Sequence, residues 1–422
     1  KERVLTHNFE RFLETQKSLE KVGALVNGWQ GIDQLSKTTH VNFNAKHLFP
    51  TGTVILHGIK TFEKERIDLA IIYAASVLIE KCDTMRPVFM EVIEGKTDIL
   101  YPLDSCEYIE RQGYVSWINN NRVIVGNRTL MEKYDETYFS EHYGVDAENV
   151  LYVKDRVSTI GEEYAYLYDD LINYLRDESI TQEAKAEVLY EVFDVQSFID
   201  WVLFNLYTGN DDVSYKKNST VWRTIEPDSS SYGDCKWRWM IFDVDHAAIG
   251  FPAENTDFWA TSLINSNRFY WAFKTSEHFR RQFVLTAMDM MNTTFLPENV
   301  EDVLTEWGQD LSYGDSYFLK RPEYMKQGLV NEFSLSGIRA NVELNVNDTE
   351  AGAIYINTIK PELIDGSWVG EYFVDYPVTV TASANPGYRF AGWSGNSEAS
   401  DTSIEVPVTE GGVSLTAIFK KE

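Results

Sequence analysis

The sequence predicts an α+β fold, with a mixed helical and stranded region over residues 1–338 followed by a small antiparallel all-β, sandwich-like domain over 339–422. Three observations lead there. In DVQSFIDWVLFNLYTGN, Val195, Phe198, Ile199, Val202, Leu203 and Leu206 recur at the spacing of one buried helical stripe. In KWRWMIFDVD, from residue 236, large apolar groups alternate as they do along a strand. Near residue 337 the composition changes to Gly, Thr, Val and Asn, and short alternating runs punctuated by Gly and Pro take over.

Taken in order, residues 8–21 and 64–82 have helical apolar spacing, and TTHVNFNAKHLF between them alternates like a strand. Segment 114–133 is rich in β-branched and aromatic residues around an Asn-rich interruption, which predicts a hairpin. A helical stretch is expected from about 158 to 179. The helix after Asp194 has that residue as N-cap and Gly209 as its stop. Helical patterns resume at 276–292 and 297–310, and a boundary falls at 337–341. The tail runs VELNV, AIYIN, YPVTVTAS, YRFAGW, TSIEVPV and VSLTAIF read as strands.

Composition narrows the function. With 38 Lys and Arg against 65 Asp and Glu, the formal charge is −27, and a surface of that sign repels polyanions, so nucleic acid is not an expected partner. No apolar run reaches the length of a membrane span, and Lys1 opens without a charged-then-apolar leader, so neither a membrane span nor a signal peptide is expected within the chain. Cys82, Cys106 and Cys235 lack the spacing of a zinc site or redox pair and read as buried or free thiols.

The chemistry gathers in LYTGNDDVSYKKNSTVWRT and the strand after it. If strands 218–224 and 236–242 pair around the turn-rich linker 225–235, Asn218 lies beside Phe242, and Asn218, Asp243 and Asp245 meet at the open end with Asp211 and Asp212 arriving from upstream. Alternation places Asp243 and Asp245 on the face of Trp237, Trp239 and Ile241. A loop Asp, an Asn a few residues on, and a hairpin ending in a second Asp is the order protein kinases use, the first orienting the acceptor hydroxyl and the others holding magnesium. The alternatives from the same residues are solvated acids at a strand end and a calcium site.

At these residues the sequence resembles the CotH family, the spore-coat protein H kinases. The resemblance lies in FIDWVLFNLYTGNDD, NSTVWR, KWRWMIFDVD, FRRQF and RPEYMKQGLVNEFSLSG, in family order, with a looser match in EKYDETYFSEHYGVDAENVLYVKD. It implies an atypical protein-kinase-like fold that uses ATP and Mg2+, with Mn2+ or Ca2+ as substitutes, to phosphorylate Ser or Thr of a protein substrate. Asp212 then corresponds to the catalytic-loop Asp, with Asp211 the alternative, Asn218 to the metal-binding Asn and Asp245 to the magnesium Asp, with Asp243 beside it. Lys37 is the candidate nucleotide lysine, Glu132 its candidate acidic partner and Lys154 a second phosphate-side candidate; His246 is a candidate hydrogen-bond partner of a metal-bound Asp. The sequence departs from the family in having Val213 after the loop Asp, Asn218 six residues on rather than five, His246 and Ala247 in place of Phe-Gly, and Asn27 where the family has Arg.

The tail resembles β repeat domains of secreted and cell-surface bacterial proteins, which implies an extracellular or cell-surface setting, a spore coat included, and a glycan or protein partner for this domain. Trp393 and Tyr388 either stack on a sugar or, in the case of Trp393, anchor the small core. The acidic chain suits a basic acceptor protein. The rival readings are an inactive kinase-like adhesion or scaffold protein and a metal-assisted hydrolase.

Overall fold

The computed structural model describes residues 39–42, 53–58, 85–93, 96–99, 116–118, 122–132, 134–244, 252–306 and 311–422. The expected helices at 8–21 and 64–82, together with Lys37, Asp245, His246, Cys82 and Cys106, lie outside the described residues.

Strands β1 (Thr39–Asn42), β2 (Thr53–Gly58), β3 (Met85–Ile93), β4 (Lys96–Ile99), β5 (Ser116–Ile118) and β6 (Arg122–Glu132) form an antiparallel sheet in the order β1-β2-β6-β3-β4, with β5 also on β6. The β5–β6 pairing of Ser116 with Ile124 is the expected hairpin. Glu132 ends β6 opposite Val54.

A second sheet, β10-β9-β7-β8, is built from β7 (Val150–Lys154), β8 (Val157–Ile160), β9 (Thr220–Thr224) and β10 (Arg238–Met240). Thr220 pairs with Met240 and Trp222 with Arg238, so the expected register, which sets Asn218 level with Phe242, is the register found. Both faces are covered at β7, β9 and β10, which is why those strands are buried on both sides, while the edge strand β8 is largely exposed. Leu151, Val153, Val221, Trp237, Trp239 and Ile241 meet the helical core. On the other face Tyr152, Trp222, Met240 and Phe242 meet the aromatic side of α1 (Glu136–Tyr143), capped by Asp135.

Helices α2 (Tyr166–Arg176), α3 (Gln182–Val192) and α4 (Val195–Thr208) follow. The stretch expected to be helical from 158 begins instead as β8, because Val157 to Ile160 pair with β7, and the helix starts at Tyr166. Asp194 caps α4 by accepting from the Ser197 amide, and Gly209, at φ 68°, ends it in the left-handed region that only glycine enters without cost. Then come α5 (Ser262–Asn265), α6 (Arg268–Phe273), α7 (Glu277–Met291), α8 (Pro297–Glu306) and α9 (Leu311–Phe333). The last lies beyond the helical patterns found in the sequence and contains Pro322.

The β region holds β11 (Arg339–Val346), β12 (Gly352–Ile356), β13 (Ser367–Phe373), β14 (Val378–Ala384), β15 (Tyr388–Gly395), β16 (Ser403–Val406) and β17 (Val413–Lys421) in two sheets, β13-β11-β17-β15 and β12-β14-β16. All pairs are antiparallel except β11 with β17, which run parallel. Strand β13 escaped the pattern reading because Ser367–Phe373 alternates poorly, with Val369 exposed. Trp393 is 4% exposed and donates through Nε1 to the Asp401 carbonyl at 2.9 Å, so it is a core anchor, not a sugar platform.

This region shares one continuous apolar core with the helices. Buried Asp289 on α7 accepts hydrogen bonds from Asn357 Nδ2 (2.9 Å), the Thr358 amide (3.1 Å) and hydroxyl (2.7 Å), and the Tyr372 hydroxyl (2.7 Å). Asn292, just after α7, pairs with the Glu371 backbone as a strand would, donating at 2.8 Å and accepting at 3.0 Å.

Candidate functional site

The site begins where α4 stops. Past Gly209 the next side chain, Asn210, is 1% exposed; its amide donates to Asn205 Oδ1 at 3.0 Å and to the Asp243 carbonyl at 3.4 Å, while its oxygen accepts from the Asp212 backbone amide at 3.2 Å. One buried amide thus ties the loop carrying Asp212 to the end of the β10 segment carrying Asp243. The loop is closed by reciprocal backbone hydrogen bonds between Ser214 and Lys217 and anchored below by Ser262, whose hydroxyl donates to the Val213 carbonyl at 3.0 Å.

Asn218, 7% exposed, takes a left-handed backbone at φ 53°. Its amide donates to the Asp212 carbonyl oxygen at 2.9 Å and to Asp212 Oδ2 at 3.3 Å. The tight turn over 214–217 and this left-handed residue absorb the extra loop position, so a spacing of six still brings the Asn onto Asp212. Lys217 Nζ forms an ion pair with Asp212 Oδ1. Asp211 is exposed. Lys216 lies 5.0 Å from the Tyr215 ring. Burial would raise the Tyr215 phenol, but hydrogen bonds and charge from Lys216 and Arg268 outweigh it and hold it below its ordinary value.

On the sheet side, Ser219 donates its amide to Asp155 Oδ1 at 3.1 Å, which holds the start of β9 against the end of β7. Lys154, at that end, places Nζ 3.8 Å from the Phe242 ring centre, next to Asp243 in sequence. The Tyr134 hydroxyl donates to the Ile241 carbonyl at 2.5 Å from the other face.

Asp211, Asp212, Asn218, Asp243 and Lys154 therefore gather at one end of the second sheet. The side chain of Glu132 lies outside the described residues. The expectation that Asp243 continues the face of Trp239 and Ile241 is corrected: Asp243 has φ 52°, the ladder has already ended at Met240, and Val244 enters the helical core in its place. Sequence reading missed Asn210, Lys217 and Arg321. Arg321, fully buried on α9, donates to the carbonyls of Leu206 at 2.7 Å and of Ala253 and Asn255 at 2.9 and 2.5 Å, joining the end of α4 to the segment beyond Asp245. The one available signal for Asn210 was its place directly after the helix-stopping Gly209.

The carboxylate and amide oxygens of Asp212, Asn218 and Asp243 are hard donors of the kind magnesium takes. Among the described residues no group of three or more His, Cys, Asp or Glu side chains is placed to hold a metal ion.

A family model described as CotH kinase protein matches residues 110–329, just over half of the chain and all of this site. The chain belongs to the CotH kinase protein family. A second model, the divergent InlB B-repeat domain, matches 367–422, from β13 to the end. No curated protein matches the chain. CotH membership makes this a kinase-like protein and agrees with the α+β region followed by a β region described above. No helix among the described residues is long and apolar enough to cross a membrane.

Proposed function

We propose that the chain is a CotH-type kinase that transfers the γ-phosphoryl group of ATP to Ser or Thr hydroxyls of a surface or coat protein outside the cell, with residues 1–338 as the kinase domain and 339–422 as the β domain. The observation that carries this is the setting of Asp212: a partly exposed carboxylate oriented by Asn218 and Lys217, and linked through Asn210 to Asp243. A carboxylate so fixed can accept the proton of an acceptor hydroxyl, and positioning of this kind supplies a large part of phosphoryl-transfer catalysis. Bound Mg2+ would neutralise the phosphate charge, with Asn218, Asp243 and Asp245 as its protein ligands. Lys154 and Lys37 are the candidates to meet the phosphates, with Glu132 as acidic partner. The chain's charge of −27 favours a basic acceptor.

Single-turnover transfer from γ-labelled ATP to a basic Ser-rich peptide tests this reading. Asp212→Asn lowers the rate by roughly two to four orders of magnitude, while Asp211→Asn, at the more exposed of the two positions, has a far smaller effect. Equal rates in both variants and the parent would remove the loop from the chemistry and favour an adhesion or scaffold protein.

A further inference from the structure

The Asp212 carboxylate does not face solvent alone. Lys217 closes on Oδ1 while Asn218 holds Oδ2, and the Lys217 side chain is 61% exposed against 26% for Asp212, so the ammonium sits on the outer side of the carboxylate. Exposed ion pairs contribute little to stability, and the backbone closure between Ser214 and Lys217 already shapes this turn. The neighbouring cations Lys216 and Arg268 are engaged with Tyr215. In a chain of charge −27, an incoming phosphoryl group would meet Asp211, Asp212 and Asp243 at this sheet end, and the Lys217 ammonium is positioned to offset that repulsion.

We propose that Lys217 is a catalytic residue that passes its ammonium from Asp212 to the oxygens of the transferring phosphoryl group. This rests on the kinase reading above. As the ammonium moves, Oδ1 becomes available to the acceptor hydroxyl: the acceptor oxygen bonds to the γ-phosphorus, its proton passes to Asp212, and the bond from phosphorus to the β,γ-bridging oxygen breaks with its electron pair leaving on ADP.

The test compares Lys217→Met, Lys217→Arg and Lys216→Met with the parent for ATP affinity, single-turnover transfer to the basic Ser-rich peptide, and unfolding midpoint. Lys217→Met is expected to transfer about a hundredfold more slowly, the scale of losing one donor to developing charge, with ATP affinity and midpoint unchanged; Lys217→Arg recovers most of the rate, and Lys216→Met stays near the parent. Parent-like transfer by Lys217→Met, or equal slowing by Lys216→Met, would overturn the proposal while leaving the kinase reading intact. A parent chain that transfers nothing would overturn both.

Discussion

Asp212 and Asp289 are each held by several donors, yet their surroundings differ. Asp289 is fully buried between α7 and the β region, and all its donors are neutral: one amide side chain, one backbone amide and two hydroxyls. Asp212 lies at a surface, and one of its donors is the exposed ammonium of Lys217. Neutral donors around a buried carboxylate fix it in place and make its removal costly, whereas a charged donor at the surface can exchange partners. The first arrangement holds two regions together; the second, on the proposed kinase reading, leaves a carboxylate that a substrate can reach.

The sharpest way to break this contrast is to remove each carboxylate. Asp289→Ala leaves four donors without their acceptor, the fully buried Tyr372 hydroxyl among them, and should cost about 3 kcal/mol of stability in denaturant unfolding. Asp212→Asn should stay within about 0.5 kcal/mol of the parent, as surface changes do. Comparable losses from both variants would erase the distinction.

A smaller effect follows from pH. Burial pushes the Asp289 carboxyl up to about 6, against the opposing hydrogen bonds of Asn357, Thr358 and Tyr372. A carboxyl raised on folding binds its proton more tightly in the folded state, so its contribution is fully present below about pH 4 and is lost as pH rises through about 6. The parent should therefore lose stability relative to Asp289→Asn across that window. Burial also pushes Asp200 on α4 up to about 7, with the same sign, but that group is common to both chains and cancels in the comparison. Parallel stability curves would contradict the assignment.

Much of this was readable in the sequence. The α4 stripe, its Asp194 cap, its Gly209 stop and the β9–β10 register all followed from periodicity and turn chemistry, because each is decided by neighbours in sequence. The face of Asp243 was misread because a single left-handed residue ends the alternation, and no period reveals it in advance. Arg321 went unseen because its partners, Leu206 and Ala253, are distant in sequence and are backbone carbonyls, which leave no side-chain signature. The Asp289 junction was hidden for the same reason, with partners 68 to 83 residues away.

The measurement that bears most directly on the central claim is calorimetric titration of the parent chain with ATP, with and without Mg2+. The account predicts saturable binding with Mg2+ and none once the ion is chelated, since acids at this sheet end repel bare phosphates. Absence of binding in both conditions, or the same affinity in both, would contradict it.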